Sequence, residues 1–338
     1  MSNLTHSNND GTNGGGYGNA TLLDNPNLCT LSTCDLSMAN FDYIPTLPGN
    51  AIYAAIFGIA IFAQLFLGIK HKTWGYMVAM IFGLLLEVIG YVGRVLLHNN
   101  PFENNYFLIY LVCLTIAPAL FTAAIYLCLA RIVHVYGENL SFFRPRTYTL
   151  VFCTCDLISL VLQALGGGIA STSDTLSGKN LGRNIMLAGL IFQVISLALF
   201  ALASGEFALR VIKNKSQWNV RYIDLVNSLL FKSFLVGLVI SSVTIFARSV
   251  YRCAELAGGF NGELFRGDEA LFMVLEGLML VIATIWLTAL HPAVAFQGTW
   301  HESNFRFRSK DAERKLMQST DEESQTAIEM NHQAFTSR

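Results

Sequence analysis

The sequence has 338 residues, of which 53% are hydrophobic and only 13% are charged, and its formal net charge is −1. In soluble globular domains about a quarter of the residues are charged, so this composition excludes an ordinary soluble protein. It indicates a chain that spends most of its length in lipid, where each crossing helix needs roughly 20 apolar residues.

The first segment, residues 1–42, is rich in Asn, Gly, Ser and Thr and contains no Lys or Arg. It lacks the positive and apolar regions of a cleavable signal peptide, so we expect the first membrane helix to act as the targeting signal. Glycosylation sequons begin at Asn3 and Asn19, and such sequons are used only on the outer side of a membrane. We therefore interpret this segment as an outer, glycosylated, disordered tail.

Seven apolar segments follow and predict a domain of seven transmembrane helices over residues 43–297. Strands of a membrane barrel alternate polar and apolar residues, and these segments do not. A helix, in addition, satisfies its own backbone hydrogen bonds in lipid. The predicted fold class is therefore an all-α integral membrane protein. Pro118 and Pro292 predict kinks in the third and seventh helices. The predicted helices cover residues 50–69, 74–97, 106–130, 147–171, 182–203, 229–249 and 270–290.

Positive charges are divided unequally between the two ends of these helices. Fourteen Lys and Arg fall in the first, third and fifth connections and in the C-terminal segment, against three in the N-terminal segment and the other connections. Because Lys and Arg accumulate on the cytoplasmic side, we expect the N-terminus outside and the C-terminus in the cytoplasm. Residues 298–338 are polar and are interpreted as a cytoplasmic disordered tail.

Polar side chains occur at depths where a single charge costs about 2.5 to 3.5 kcal/mol. Residues four and seven positions apart share one helix face, and the second, fourth and sixth helices carry polar residues at such spacings. We interpret the set as lining a polar cavity that opens outward; alternatively, its members join the helices, as Glu87 with Arg94 or Arg252 with Glu255. The candidate substrate-binding or relay residues are Glu87, Tyr91, Arg94, Asp156, Gln163, Gln193, Arg248, Arg252, Glu255 and Glu276.

The cysteines and histidines limit the other chemistry that the chain supports. Cys29, Cys34 and Cys253 fall on the predicted outer side, where one disulfide among them is expected. The seven histidines show no pair at a helical interval, so we predict no metal site and no cofactor. The chain contains no phosphate-binding loop and no Ser/His/Asp arrangement at one depth. We therefore expect neither an ATP-driven pump nor an enzyme, and no nucleic-acid partner.

A series of motifs stands in one order between residues 43 and 297. They are Glu87-Val-Ile-Gly90-Tyr91-Val-Gly-Arg94, Ala117-Pro118, Ile125-Tyr126, Ala130-Arg131-Ile132, Asp156-Leu-Ile-Ser159 with Gln163, Gly166-Gly167-Gly168, Gly189-Leu190 with Gln193, Arg248-Ser-Val-Tyr251-Arg252-Cys-Ala-Glu255 and His291-Pro292. In this order the chain resembles the fungal lipid-translocating exporter family, which includes sphingoid long-chain base transporters and proteins of aminocholesterol resistance. The resemblance implies a multi-pass plasma-membrane protein that acts on amphipathic lipids or toxicants.

The predicted function is lipid export across the plasma membrane, with a sphingoid long-chain base as the expected substrate and resistance to toxic amphiphiles as its result. An enclosed carboxylate can replace the water around the amine while the tail stays in lipid, and Glu87, Asp156 and Glu276 are the candidates. The alternative is a seven-helix sensor that regulates lipid asymmetry or a stress response without transporting. A rhodopsin-like receptor is disfavoured because Arg131 lacks the flanking Asp and Tyr of that class. The expected partners are membrane lipids and an energising or regulatory protein.

Overall fold

The computed structural model describes residues 41, 43–141, 145–173, 175–215, 218–259, 262 and 269–300. The residues up to Gly298 belong to one compact unit. The sequons at Asn3 and Asn19 and the predicted disulfide cysteines Cys29 and Cys34 lie outside the described residues. Cys253, the third of these cysteines, is half-buried with a free thiol.

Seven long helices make up most of the described chain, and these ranges contain no strand. Each helix is long and apolar enough to cross a membrane, so the prediction of an all-α protein with seven transmembrane helices is confirmed. The helices are α1 (Leu47–Lys70), α2 (Trp74–Asn99), α3 (Asn104–Tyr136), α4 (Pro145–Thr172), α5 (Leu176–Lys213), α6 (Leu229–Ala257) and α7 (Glu269–Ala289).

Most successive helices are joined by short connections, so neighbours in sequence run antiparallel. The end of the bundle that holds the start of α1 and the α2–α3, α4–α5 and α6–α7 connections is called the N-terminal end. The C-terminal end holds the other three connections and a short helix, Pro292–Ala295, that follows α7. The charge distribution places the N-terminal end outside, and this orientation stays a prediction.

Three helices extend well beyond the apolar segments that predicted them, and the first of these is α3, which continues to Tyr136. α5 begins at Leu176 and ends at Lys213, and α6 continues to Ala257. Hydropathy falls where charged residues begin, but a helix does not stop there. Glu206 and Arg210, four residues apart, form an exposed ion pair of 2.5 Å along the surface of α5.

The two prolines take different positions. Pro118 lies inside α3, which is assigned as one helix throughout. Pro292 does not kink α7, because that helix ends at Ala289 and Pro292 begins the next one. The predicted kink at Pro292 is therefore wrong. Proline suits the first turn of a helix, where its missing N–H is not needed, and His291 caps this turn by accepting a hydrogen bond from the Ala293 N–H at 3.3 Å.

Glycines bring pairs of helices into backbone contact. A Cβ atom on Gly166 would lie 2.4 Å from the backbone nitrogen of Met186, and one on Gly182 would lie 2.4 Å from that of Ala170. α4 and α5 therefore touch along this stretch, as small residues allow in membranes. Gly90 of α2 instead makes room for a side chain of α3, since a Cβ atom there would lie 2.5 Å from the Leu114 side chain. These close approaches bring polar side chains within hydrogen-bonding distance of the next helix.

Candidate functional site

Six charged side chains lie buried among α2, α6 and α7, and each is at most 2% exposed. Three are arginines and three are glutamates, so their formal charges balance. A buried charge is costly unless it is paired or hydrogen-bonded, so the partners of each residue show how the site is held. This charge cluster consists of Glu87, Arg94, Arg248, Arg252, Glu255 and Glu276.

Arg248 of α6 joins two other helices. Its Nη2 donates hydrogen bonds to the Glu276 carboxylate of α7 and to the backbone carbonyl of Leu114 in α3. The Leu114 carbonyl lacks its helical donor because the residue four positions later is Pro118, which has no N–H. The proline in α3 thus creates an acceptor inside the membrane, and the arginine uses it.

Glu276 belongs to a short π-helix, Met273–Leu278, within α7. Such segments often occur at functional sites. The Tyr53 hydroxyl of α1 donates a hydrogen bond to the Met273 carbonyl at 2.8 Å, which holds the wider turn against α1. The second carboxylate oxygen of Glu276 has no hydrogen-bond partner among the described residues.

Arg252 and Glu255 form an ion pair of 2.5 Å within α6, as their spacing of three residues predicts. Arg252 also donates to the Thr115 hydroxyl of α3 at 3.5 Å. A void of about 10 Å³, roughly the size of one water molecule, lies between Thr115 and Gln163 of α4. Gln163 donates to the Oε1 of Gln193 at 2.9 Å, so polar groups follow one another from α6 to α5.

Arg94 is fully buried and is surrounded by aromatic rings. Its guanidinium lies 3.8 Å from the centre of the Phe272 ring and 5.2 Å from that of Tyr110, distances that give cation–π attraction. It donates to the Asn50 Oδ1 at 3.2 Å and to the Tyr43 hydroxyl at 3.1 Å. The alternative pairing of Arg94 with Glu87 is not found, and among the described residues Arg94 has no carboxylate partner.

Among the acids of the charge cluster, Glu87 is the one least constrained by hydrogen bonds and ion pairs. Its side chain is 1% exposed, and its Oε1 has no hydrogen-bond partner in the described part of the chain. Among the charged groups, Arg248 and Glu276 exert the strongest electrostatic influence on it. Beside it Tyr91 is stacked on Phe57, with ring centres 5.7 Å apart, and the Tyr91 hydroxyl has no described partner either.

Asp156 of α4 forms a second, separate site. Its Oδ2 accepts hydrogen bonds from the Thr122 and Tyr126 hydroxyls of α3, each at 3.0 Å. Its Oδ1 has no partner among the residues described, although the side chain is only 4% exposed. The Tyr126 ring in turn packs on Phe200 of α5, with ring centres 4.4 Å apart. A carboxylate oxygen is thus available in the bundle interior next to α5.

A third polar group lies at the C-terminal end of the bundle. The Tyr76 hydroxyl donates to the Leu287 carbonyl at 2.8 Å, and the Gln64 amide donates to the Thr288 hydroxyl at 3.0 Å. His291 packs edge-on against Tyr76, with ring centres 5.2 Å apart. Burial and the nearby His71 lower the pKa of His291 to about 4. His291 is therefore neutral at physiological pH.

All ten predicted site residues are buried, but they do not line one open cavity. Six form the charge cluster with Tyr91 beside it, Gln163 pairs with Gln193, and Asp156 stands apart. In the described residues no group of three or more His, Cys, Asp or Glu is placed to hold a metal ion.

Sequence reasoning missed five residues that contact these groups. Thr115, Thr122 and Tyr126 lie on one face of α3 at spacings of seven and four residues, a signal that could have found them. Asn50 and Tyr43 gave no comparable pattern, because they reach Arg94 from an apolar helix and from the segment before it.

The sequence is similar to those of three proteins of Saccharomyces cerevisiae. The chain is 32% identical over 283 residues to the sphingoid long-chain base transporter RSB1 of Saccharomyces cerevisiae, covering 75% of this chain and 74% of that protein. It is 29% identical over 224 residues to Protein RTM1 of the same species, covering 64% of this chain and 67% of the relative. It is 31% identical over 204 residues to the yeast Protoporphyrin uptake protein 1, covering 60% and 64%.

No solved structure matches the chain. A family profile described as RTA1 like protein matches residues 80–299, which include α3 to α7, most of α2 and all ten predicted site residues. Together with the identity to the long-chain base transporter over three quarters of the chain, this match shows that the protein belongs to the RTA1-like family of multi-pass membrane proteins, whose named relatives point to membrane transport of a lipid-like substrate.

Proposed function

We propose that the protein moves a single-chain cationic amphiphile, best a sphingoid long-chain base, from the inner to the outer leaflet of the plasma membrane. The names of two relatives, a sphingoid long-chain base transporter and a porphyrin uptake protein, support an amphipathic substrate. The charge distribution supports an outer N-terminal end. The chain supplies no nucleotide-binding loop, so the energy comes from a lipid gradient, a proton gradient or another protein.

The observation that carries this proposal is the state of the buried acids. Glu276 and Glu255 each form an ion pair with an arginine, whereas Glu87 has no ion-pair partner among the described residues and one of its carboxylate oxygens accepts no hydrogen bond there. An ammonium group entering the bundle can lose its water only if an anion replaces that water. A charge-assisted hydrogen bond to a carboxylate supplies this replacement, while the hydrocarbon tail stays against apolar side chains.

Purified protein in vesicles without any other protein tests the proposal. A fluorescent long-chain base is added to the inner leaflet, and albumin outside extracts the molecules that reach the outer leaflet. We expect faster extraction from vesicles with the protein than from protein-free vesicles, and an unchanged rate for a two-chain phosphatidylcholine probe. Equal rates with and without the protein, both with and without an imposed proton gradient, would refute transport by this protein alone and favour the alternative, a sensor on the same scaffold that binds lipid without moving it.

A further inference from the structure

A cleft between α5 and α6, with α3 as its floor, lies outside the polar sites described above. Its volume is about 430 Å³. Its walls are almost wholly apolar and include Ile125, Leu129, Phe200, Gly205, Leu238 and Val243. No other segment of the described chain covers it.

The cleft has the length of one leaflet. Along α3 its floor extends from Ile125 to Tyr136, which at 1.5 Å per residue is about 16 Å. The hydrocarbon core of a bilayer is about 30 Å thick, so the cleft spans about half of it. Tyr136 contacts Trp218, with ring centres 5.4 Å apart, and both residue types favour the headgroup level. The cleft therefore runs from the C-terminal membrane surface to the middle of the bilayer.

The cleft opens toward lipid, and its polar groups other than the Tyr136 hydroxyl at its end are already hydrogen-bonded. Side chains along its rim are more than half exposed although they are apolar: Ile212 is 63% exposed, Val239 63% and Val243 60%. Two hydroxyls lie in the walls, but Ser204 donates to the Phe200 carbonyl and Ser242 to the Leu238 carbonyl. Neither hydroxyl needs a partner from a ligand, so the chemistry of the cleft fits hydrocarbon and not a headgroup.

The mid-membrane end of the cleft lies close to Asp156. Phe200 forms part of the wall and packs on Tyr126, which donates to the Asp156 carboxylate. One aromatic layer thus separates the mid-membrane end of the cleft from a buried carboxylate oxygen that has no described partner. An amine that moves along the cleft from the C-terminal membrane surface therefore has a carboxylate beyond this aromatic layer, which favours an amine lipid as the occupant.

We propose that this cleft binds the single hydrocarbon chain of a long-chain amine lipid taken from the leaflet at the C-terminal end. The hydrocarbon chain lies between α5 and α6, and the amine of the lipid lies at the headgroup level beside Tyr136. This inference rests on the proposed function for its ligand. A phospholipid of the surrounding bilayer and a helix of a second copy are the competing occupants.

Photolabelling of the full chain in phosphatidylcholine vesicles tests the inference. The probe is sphingosine with a diazirine in the middle of its chain, and the labelled peptides are identified by mass spectrometry. Gly205→Leu places an apolar side chain in the cleft, and its Cβ atom meets nothing within 4 Å. Gly58→Leu on α1 is the matched control, since its Cβ atom also meets nothing.

We expect saturable labelling of α5 and α6 peptides that unlabelled sphingosine displaces. Gly205→Leu should weaken this labelling roughly tenfold, which corresponds to about two lost methylene contacts, and Gly58→Leu should leave it unchanged. Labelling of other helices, or equal labelling by a diazirine phosphatidylcholine that sphingosine does not displace, would overturn the inference. Cross-links between copies through α5 or α6 would also overturn it.

This experiment separates the cleft from the transport proposal. Labelling of the cleft in vesicles that show no transport would keep the chain site and reject transport. Transport with labelling elsewhere would keep the proposed function and reject the cleft as the chain site.

Discussion

The guanidinium of Arg248 donates a hydrogen bond to the backbone carbonyl of Leu114, two residues on different helices that are 134 positions apart in the chain. The same nitrogen binds Glu276, so one side chain connects α3, α6 and α7. The contact exists because Pro118 leaves the Leu114 carbonyl without a helical donor.

The Arg248–Glu276 pair should stabilise the bundle strongly. Arg248→Gln leaves an unpaired buried carboxylate, so we expect the free energy of unfolding in detergent micelles to fall by about 3 to 5 kcal/mol. The double variant Arg248→Gln with Glu276→Gln should recover part of this loss. Arg210→Gln, which breaks the exposed pair with Glu206, should cost at most about 1 kcal/mol. Equal losses for the buried and exposed pairs would contradict the argument.

Glu87 and Asp156, the buried acids that have no ion-pair partner among the described residues, should matter for transport and not for folding. Glu87→Gln and Asp156→Asn keep shape and hydrogen-bonding capacity but remove the charge. We expect normal abundance and at least about a tenfold loss of long-chain base transport, since a charge-assisted hydrogen bond contributes about 1.5 to 3 kcal/mol. Glu206→Gln on the surface of α5 is the control and should transport normally. If Glu87→Gln and Asp156→Asn are degraded, the two acids have a structural role instead. If both variants transport at the full rate, neither acid takes part in transport.

The contact between α4 and α5 requires a glycine. Gly182→Ala places a Cβ atom 2.4 Å from the backbone nitrogen of Ala170, so the helices must separate. We expect a loss of about 1 to 3 kcal/mol in the free energy of unfolding. Gly168→Ala on α4 meets nothing within 4 Å and should be neutral. Identical melting curves for the two variants would show that the helices are not in backbone contact.

Stability should depend on pH through His291. Its pKa is lowered from 6.5 to about 4 by burial and by His71, so the unfolded chain takes up a proton more readily than the folded one. The stabilisation is complete above pH 6.5 and is lost as the pH falls from 6.5 toward 4, by up to about 3 kcal/mol. His291→Asn keeps an acceptor for the Ala293 N–H but does not titrate. Melting curves at pH 7 and pH 5 should shift less in this variant; an equal shift would place the titration elsewhere.

The orientation of the chain can be tested with tags and glycans. The unequal distribution of Lys and Arg predicts an N-terminal tag accessible outside intact cells and a C-terminal tag accessible only after permeabilisation. Glycosidase treatment should shift the wild type, and removal of the sequons at Asn3 and Asn19 should abolish the shift. Two further sequons, at Asn139 and Asn214, fall in connections that the charge distribution predicts to lie inside, and they should carry no glycan. A glycan at Asn139 or a protected N-terminal tag would reverse the topology.

Sequence patterns predicted the helices better than their ends. Apolar length revealed all seven spans, because lipid requires a continuous apolar run of fixed length. The extensions of α5 to Lys213 and of α6 to Ala257 were missed because a helix outside lipid needs no apolar run. The kink predicted at Pro292 was wrong because proline also favours the first turn of a new helix, and the local sequence does not separate the two cases.

The sequence by itself determined that ten polar side chains lie inside the bundle, and within one helix it also determined a partner, as for Arg252 and Glu255. Helical periodicity fixes which residues share a face, so a spacing of three is enough to predict that ion pair. Only the tertiary structure decided that Arg248 pairs with Glu276 and Leu114, and that Arg94 turns to Asn50 and aromatic rings. Contacts between helices depend on the rotation and separation of each pair, which small residues and many weak packing contacts set together, and no spacing along one chain segment encodes them.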